Sequence, residues 1–454
     1  MKMYRFLFFI LILSSSLFYS FTITASTAID KPVYRLNINE CVEMALRNNE
    51  DIKAAGFDIY TYIARKIEAT KRYIPVMEYK YRIAPVPRDL NNPAESFLDG
   101  DISVLNSIKI TAGIPITTFG RLEFSKQLAD IGIDAGRLKK KQKADEIVLD
   151  IYKLYHGILL ARELKVLATK GLNAVDEKIG ELEKEENTDQ LQILKLKAIF
   201  YEVEKRMDEA NMKEIIALAM LKVRMGIEDD VNFDLKDRYL KREYYKAKSF
   251  DKLLEKSKET RPEFKLLLHQ VAAKEKQIIL EKKEYFPKLI MGGFFEYGYS
   301  PGIIGDETDS DYTNPFNFLK AGGGFELSSQ LDFRKIKSRV ELAKAEHLKA
   351  ISDKRSKYRL LEIDLKNAHL EYLQRQKLLD RAEKEKRSAR QIVFLTKSNL
   401  DIGLGDKKDY LEALQSYLLI QATVFENMYK YNLAIATLRH KLGTLTQAYE
   451  LHSY

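Results

Sequence analysis

Few residues in this 454-residue sequence have the types and spacings that catalysis needs. The six histidines, His156, His269, His347, His369, His440 and His452, have no close metal-ligand spacing. No glycine-rich loop precedes a helix, and "AGGGFE", Ala321 to Glu326, falls in a strand-like pattern where small side chains keep space open. The single cysteine, Cys41 in "INECVEMAL", is too far from the amino terminus for a lipid anchor and alone cannot build a disulfide framework. It reads as a small core residue. Acidic residues gather instead at two polar turns, Glu185, Glu186 and Asp189 in "EKEENTDQLQ" and Asp401, Asp406 and Asp409 in "LDIGLGDKKDYLEALQ". Asp406 and Asp409 also stand where the first turn of a helix favours acidic side chains, with Lys407 and Lys408 beside them to offset the field. The sequence therefore predicts no enzyme, no cofactor and no metal site.

The elements that carry these turns are two very long helices. From Arg121 to Glu186 there are 66 residues without proline, and from Arg334 to Ile402 another 69 without proline or glycine. Each would reach about 100 Å if continuous, longer than any globular core requires. In the second, Tyr358, Leu361, Leu365, Ala368, Tyr372, Leu379 and Ala382 keep heptad spacing, broken once at Arg375. Leu360, Ile363, Leu370 and Leu373 give a partial second stripe, which suits a helix with neighbours on both sides. An ordinary antiparallel coiled coil is the simpler reading of the periodicity. Gly403 and Gly405 permit a tight hairpin, and the return helices, from about Asp189 to Met225 and from Asp406 to Leu442, end near Gly226 and Gly443.

Between helices the period changes to two. In "YIPVMEYKYRI", Tyr73 to Ile83, the pattern breaks at Pro75; Met77, Tyr79, Tyr81 and Ile83 then share one face, with Glu78, Lys80 and Arg82 on the other. Ile108, Ile110, Ala112 and Ile114 oppose Lys109, Thr111 and Gly113 in the next such run. Leu289, Met291, Phe295, Tyr297 and Tyr299 oppose Gly292, Glu296 and Gly298 in a third, and Ala321, Phe325 and Leu327 oppose Lys320, Gly322, Gly324 and Glu326 in a fourth. A half-buried soluble sheet would alternate in the same way. Four strands of roughly 9 to 11 residues with one oily and one polar face also match transmembrane strands. On that reading Met77, Tyr79, Tyr81, Ile108, Ile110, Phe295, Tyr297 and Phe325 face lipid, and Pro75, Pro115 and Pro287 redirect the chain between helix and strand. Four strands cannot close a barrel, and an open edge cannot face lipid, so several chains must pool their strands.

The amino terminus supports an exported protein. Lys2 and Arg5, an apolar run from Phe6 to Leu13 and a small polar stretch read as a signal peptide over residues 1–28, cleaved near Ala28. The chain is 45% hydrophobic and 31% charged, with 75 basic residues interleaved with 66 acidic ones, so its formal charge of +9 reads as solvated helix surface and not as a nucleic-acid stripe. Laid over itself at an offset of 212 without gaps, Ile38 meets Phe250, Ile52 meets Phe264, Lys71 meets Lys283 and Pro75 meets Pro287. The expectation is two copies of one unit, 29–226 and 250–443, joined by a linker or equatorial segment over 227–249 and followed by a tail over 444–454.

"LNINECVEMALRNNEDIKAA" from Leu36, "IPITTFGR" from Ile114 to Arg121 and "GLGDKKDYLEALQSYLLIQ" from Gly403 resemble, in order and spacing, the TolC-like outer-membrane efflux family. The resemblance covers nearly the whole chain after the signal peptide. It implies a mostly α fold with a β-barrel portion: a homotrimer with a 12-stranded barrel in outer-membrane lipid, continued by a 12-helix tunnel across the periplasm. It also implies an exit duct for efflux or type I secretion that works with an inner-membrane transporter and a periplasmic adaptor. Family members narrow their periplasmic entrance with acidic side chains, which carries that role to Asp401, Asp406 and Asp409 and, in the first copy, to Glu185, Glu186 and Asp189. One motif departs: the second strand-to-helix passage, "SQLDFRK" from Ser329 to Lys335, lacks the family's proline and glycines. The alternative is a periplasmic coiled-coil scaffold or adaptor whose strands form a small soluble domain.

Overall fold

The computed structural model describes residues 33–71, 74–184, 190–228, 231–304, 314–329 and 332–450. The expected signal peptide lies outside the described residues, as do Glu185, Glu186 and Asp189. The first half runs through β1 (Tyr34–Leu36), α1 (Ile38–Asn48), α2 (Glu50–Lys71), β2 (Val76–Pro87), the short α3 (Pro93–Leu98), β3 (Ile102–Thr117), the long α4 (Arg121–Leu182) and its return α5 (Gln190–Met225). After β4 (Phe233–Leu235) come α6 (Phe250–Thr260), α7 (Pro262–Lys282), β5 (Lys288–Tyr299), β6 (Phe318–Ser328), α8 (Phe333–Asp401), α9 (Lys407–Lys441) and a final turn, α10 (Gln447–Glu450). Ile38 and Phe250, Glu50 and Pro262, Val76 and Lys288, and Arg121 and Phe333 each open corresponding elements, every pair 212 residues apart.

Local chemistry sets these boundaries. Helix α1 starts on a capping box: Asn37 Oδ1 accepts from the Glu40 amide at 2.9 Å while Glu40 Oε2 accepts from the Asn37 amide at 2.6 Å. Helices α5, α8 and α9 all stop at a glycine in the left-handed region, Gly226, Gly403 and Gly443. The next amide in each case reaches back five residues, Ile227 to Lys222, Leu404 to Asn399 and Thr444 to Arg439, at 2.9 to 3.1 Å, which satisfies carbonyls the helix would leave free.

The helices stand side by side as a wall of two tiers. Next to the sheet α2, α4, α7 and α8 are neighbours, and farther away α5, α4, α9 and α8. The heptad residues Leu365, Ala368, Tyr372, Leu379 and Ala382 of α8 are buried against Val424, Tyr431, Ile435 and Leu438 of α9. The second stripe is left bare among the described residues: Leu360 is 60% exposed, Ile363 55% and Leu370 52%. The opposite margin is similarly bare, with Phe57 on α2 and Ile215 and Val223 on α5 all exposed. The chain leaves 30891 Å² accessible, whereas a compact chain of its mass would expose about 17,600 Å².

The main core lies where the two tiers meet. Cys41, Val42 and Ala45 of α1 pack on Ile147, Val148, Ile151 and Tyr155 of α4, together with Phe233, Leu235 and Leu240 from the segment between the halves. Phe233, Leu235 and Leu240 thus bring the expected linker or equatorial segment against the core. Strand β4 pairs in parallel with β1, Arg162 bonds Asp234 at 2.5 Å and Glu214 at 2.7 Å, and Tyr155 donates to Asp237 at 2.7 Å. The tail is also held: Tyr449 donates to Asn39 at 2.8 Å, and the Thr446 hydroxyl donates to Asp145 at 2.8 Å.

Burial holds the His440 imidazole down at about 4, mainly by desolvation and then by repulsion from Lys441; Arg261 acts in the same direction, and Glu263 and Asp364 oppose them. Its Nδ1 has no hydrogen-bond partner. The neutral ring is the folded form, whereas the unfolded chain takes up the proton near the ordinary value of about 6.5. Stability is therefore full above that pH, drains on acidification towards 4 and levels off below. His440→Asn should flatten the acid limb of a pH series of chemical denaturation by about 2 to 3 kcal/mol between pH 7 and 4, by the usual linkage between proton uptake and unfolding.

Candidate functional site

The four longer strands form one antiparallel sheet in the order β2-β3-β5-β6. Its register gathers the alternating residues onto two faces. On one, Tyr79 lies opposite Ile110, Ile110 opposite Phe295 and Phe295 opposite Ala321; the next rung reads Tyr81, Ile108, Tyr297 and Leu319. Met77 and Phe325 share this face. These side chains are unusually bare for their type, with Tyr79 63% and Phe325 72% exposed. The other face carries Glu78, Lys80, Arg82, Lys109, Glu296, Lys320 and Glu326, with an ion pair of 3.4 Å between Lys109 and Glu296. Strand β2 pairs only with β3 and β6 only with β5, so each has one free edge among the described residues.

Strand β3, at 16 residues, exceeds the expected length. Its start is fastened by the two hairpin loops: Ser103 donates to the Pro301 carbonyl at 2.5 Å and accepts from Ser300 at 2.9 Å, and Arg88 Nε reaches the Gly302 carbonyl at 2.8 Å.

Pro75 and Pro287 each stand one residue before a strand, where the lack of an amide hydrogen costs the ladder nothing. Pro115 lies inside β3, beside the register shift between Pro115 and Thr117. The turn from β3 into α4 is made four residues later, by Phe119 at φ +50° and Gly120 at φ +87°. Phe119 stacks on Phe286 with ring centroids 5.9 Å apart, and Arg121 pairs with Glu284, which locks this passage to the end of α7. The passage from β6 into α8 is built differently. Asp332 caps the helix, accepting from the Lys335 amide at 3.0 Å; Gln330 and Leu331 of "SQLDFRK" lie outside the described residues.

At the far end Asp401 closes α8, Asp406 caps α9 by accepting from the Lys408 amide at 2.9 Å, and Asp409 sits in the first turn. All three are exposed, as are Ile402 and Leu404 between them. Gly403 carries the left-handed turn in open space, while a Cβ on Gly405 would come within 3.0 Å of Asn399 and Leu400. Residue types alone point to the oily residues, the tip carboxylates and the hairpin glycines. They miss Phe119, Arg121 with Glu284, and two aromatic residues on the charged face, Phe294 and Phe318, because these depend on which strand or helix lies alongside.

Residues 253–444 match the family described as outer membrane efflux protein. No curated protein sequence matches. Among solved structures the fold is similar to the outer-membrane channel OprN (17% identity, 90% of each chain covered, TM-score 0.72). It is similar also to the CmeC outer membrane channel of Campylobacter jejuni (18% identity, 90% of this chain and 86% of that one, TM-score 0.69) and to the open state of the MtrE outer membrane channel of Neisseria gonorrhoeae (16% identity, 90% and 89%, TM-score 0.71). At such identities the likeness is one of fold: this chain shares their combination of long helices with a small antiparallel sheet.

The glycines of this fold differ in what they do. Gly403→Ala should cost only about 1 kcal/mol, the strain of a left-handed alanine. At Gly443 the same substitution also sets a Cβ 2.5 Å from the Arg261 backbone. Urea titrations of the two variants should show Gly443→Ala as the clearly greater loss.

Proposed function

We propose that three copies of this chain assemble into an exit duct in the outer membrane, a passive conduit for efflux or type I secretion that works with an inner-membrane transporter and a periplasmic adaptor. The observation that carries the reading is a sheet with one bare oily face, one charged face and two free edges. In lipid every unpaired backbone group costs several kcal/mol; pairing β6 of one copy with β2 of the next removes every edge and gives a closed barrel. The bare stripes on α8 and on α2 with α5 lie at the two margins of the same wall, so one rotation that joins the strand edges also covers the apolar helix margins. The likeness to OprN, CmeC and MtrE, each described as an outer-membrane channel, supports the same reading.

In this arrangement Met77, Tyr79, Tyr81, Ile108, Ile110, Phe295, Tyr297 and Phe325 face lipid, and the charged face lines water. The two halves act as tandem copies of one stave, each supplying two strands and a long helical hairpin. Asp401 and Asp406, repeated threefold at the periplasmic tip, form a negative ring that draws cations to the entrance; Asp409 and, in the first copy, Glu185, Glu186 and Asp189 add to it.

Detergent-extracted outer membranes should yield a trimer that conducts in planar bilayers, and Tyr79→Arg or Phe295→Arg should each cost about 2 to 4 kcal/mol of stability in the membrane. A soluble monomer whose stability ignores both substitutions is the outcome for a periplasmic scaffold. Asp401→Ala combined with Asp406→Ala should lower cation selectivity or raise the closed-state current in single-channel recordings. Unaltered currents would leave those carboxylates with helix capping alone.

A further inference from the structure

The charged face of the sheet carries a pattern that no single strand contains. In register, Lys80 lies opposite Lys109, Lys109 opposite Glu296 and Glu296 opposite Lys320. One rung across all four strands thus presents three ammonium groups and one carboxylate. The rung on the helical side reads Glu78, Thr111, Phe294 and Gly322, and the rung on the loop side Arg82, Ser107, Gly298 and Phe318. Glu78 and Arg82 cancel, so the excess of two positive charges is the same for one rung or for three. Glu78 pairs with Lys80 at 3.0 Å and Glu296 with Lys109 at 3.4 Å, yet the Lys80 side chain remains 61% exposed and Lys109 44%.

The two aromatic residues flanking this rung lie flat along the sheet. A Cβ on Gly322 would meet the Phe294 ring at 2.9 Å, and one on Gly298 would meet the Phe318 ring at 2.6 Å. Gly298 and Gly322 are therefore small because a ring on the adjacent strand covers each of them. The rings lie down over backbone and do not stand out from the sheet, so the space in front of the lysines stays open. Lys320 Nζ lies 4.7 Å from the centroid of Phe318, a contact that fixes the ammonium near the sheet without neutralising it.

We infer that this rung makes the barrel lumen an anion-selective girdle; the inference rests on the duct proposed above. Three copies bring six net positive charges to one belt of the wall. Barrel strands tilt by about 40°, so the belt consists of three inclined steps and not a level collar. At about 4.8 Å between strands and that tilt, twelve strands enclose a backbone radius of about 12 Å. Once lysine side chains project inward, the remaining distance to the axis is shorter than the Debye length of about 8 Å at physiological ionic strength. The fields of the three protomers therefore overlap in the middle of the bore, where they favour chloride and small organic carboxylates or phosphates and oppose cations. The carboxylates at the helical tip carry the opposite sign, so the duct is electrically polar from end to end.

The test is a reversal-potential measurement on the full-length trimer in planar bilayers under a tenfold potassium chloride gradient. Lys80→Gln, Lys109→Gln and Lys320→Gln together should shift the reversal potential towards potassium, raising the potassium-to-chloride permeability ratio about threefold or more. Glu296→Gln, which removes the only carboxylate of the rung, should shift it the other way. If the triple variant does not assemble, Lys320→Gln and Glu296→Gln singly must still move the potential in opposite directions. Conducting variants whose reversal potentials match the unsubstituted protein would overturn this inference and leave the duct standing; an unsubstituted chain that never conducts would overturn both.

Discussion

Backbone hydrogen bonding is the constraint on which the rest of this structure depends. A β-strand entering hydrocarbon must pair both of its edges, because lipid offers no substitute for water. The chain supplies four strands and leaves two edges free, on β2 and β6. Among the described residues no other strand pairs with either edge. On the proposed reading the chain is a stave with two unfinished margins, formed by α2 and α5 on one side and α8 on the other.

The same logic explains why the helices expose so much apolar surface. In an isolated coiled coil α8 would need one stripe. It has a second, through Leu360, Ile363, Leu370 and Leu373, and the α2 and α5 margin has its own through Phe57, Ile215 and Val223. Surface of this kind on a water-exposed protein marks an interface. Rigidity along the stave comes from the centre: the junction of α1, α4 and the β1–β4 pair is close-packed, and Arg162 with Asp234 and Glu214 ties α4, β4 and α5 together there.

The two halves use equivalent elements but not identical chemistry. Asn49 bridges α1 and α2 in the first half, its side chain donating to the Arg224 carbonyl at 2.8 Å and accepting from the Ile52 amide at 3.2 Å. The residue 212 positions later is Arg261, which is buried and answers Glu263 at 3.2 Å and Asp364 at 3.0 Å. The passages into the long helices diverge in the same way, through Gly120 in one and the Asp332 cap in the other. Conserved geometry from divergent residues is what packing against nearly the same framework allows, provided the backbone groups at each turn stay satisfied.

The sequence by itself determined the repeating elements: period-two runs after Pro75 and Pro287, proline-free helices of great length, the heptad stripe of α8, a core position for Cys41 and glycine stops at Gly226 and Gly443. Each of these is a local rule of spacing or backbone freedom, so neighbouring residues suffice to read it. Only the tertiary structure decided the rest. The three-residue strands β1 and β4 are too short to show a period, and the segment 227–249 could look like a loose linker until Phe233, Leu235 and Leu240 were seen in the core. Pro115 gave no hint that Phe119 and Gly120 make the turn. Above all, which lysine faces which carboxylate across four strands, and why Gly298 and Gly322 must be small, depend on register, and register is fixed by pairing between segments far apart in the chain.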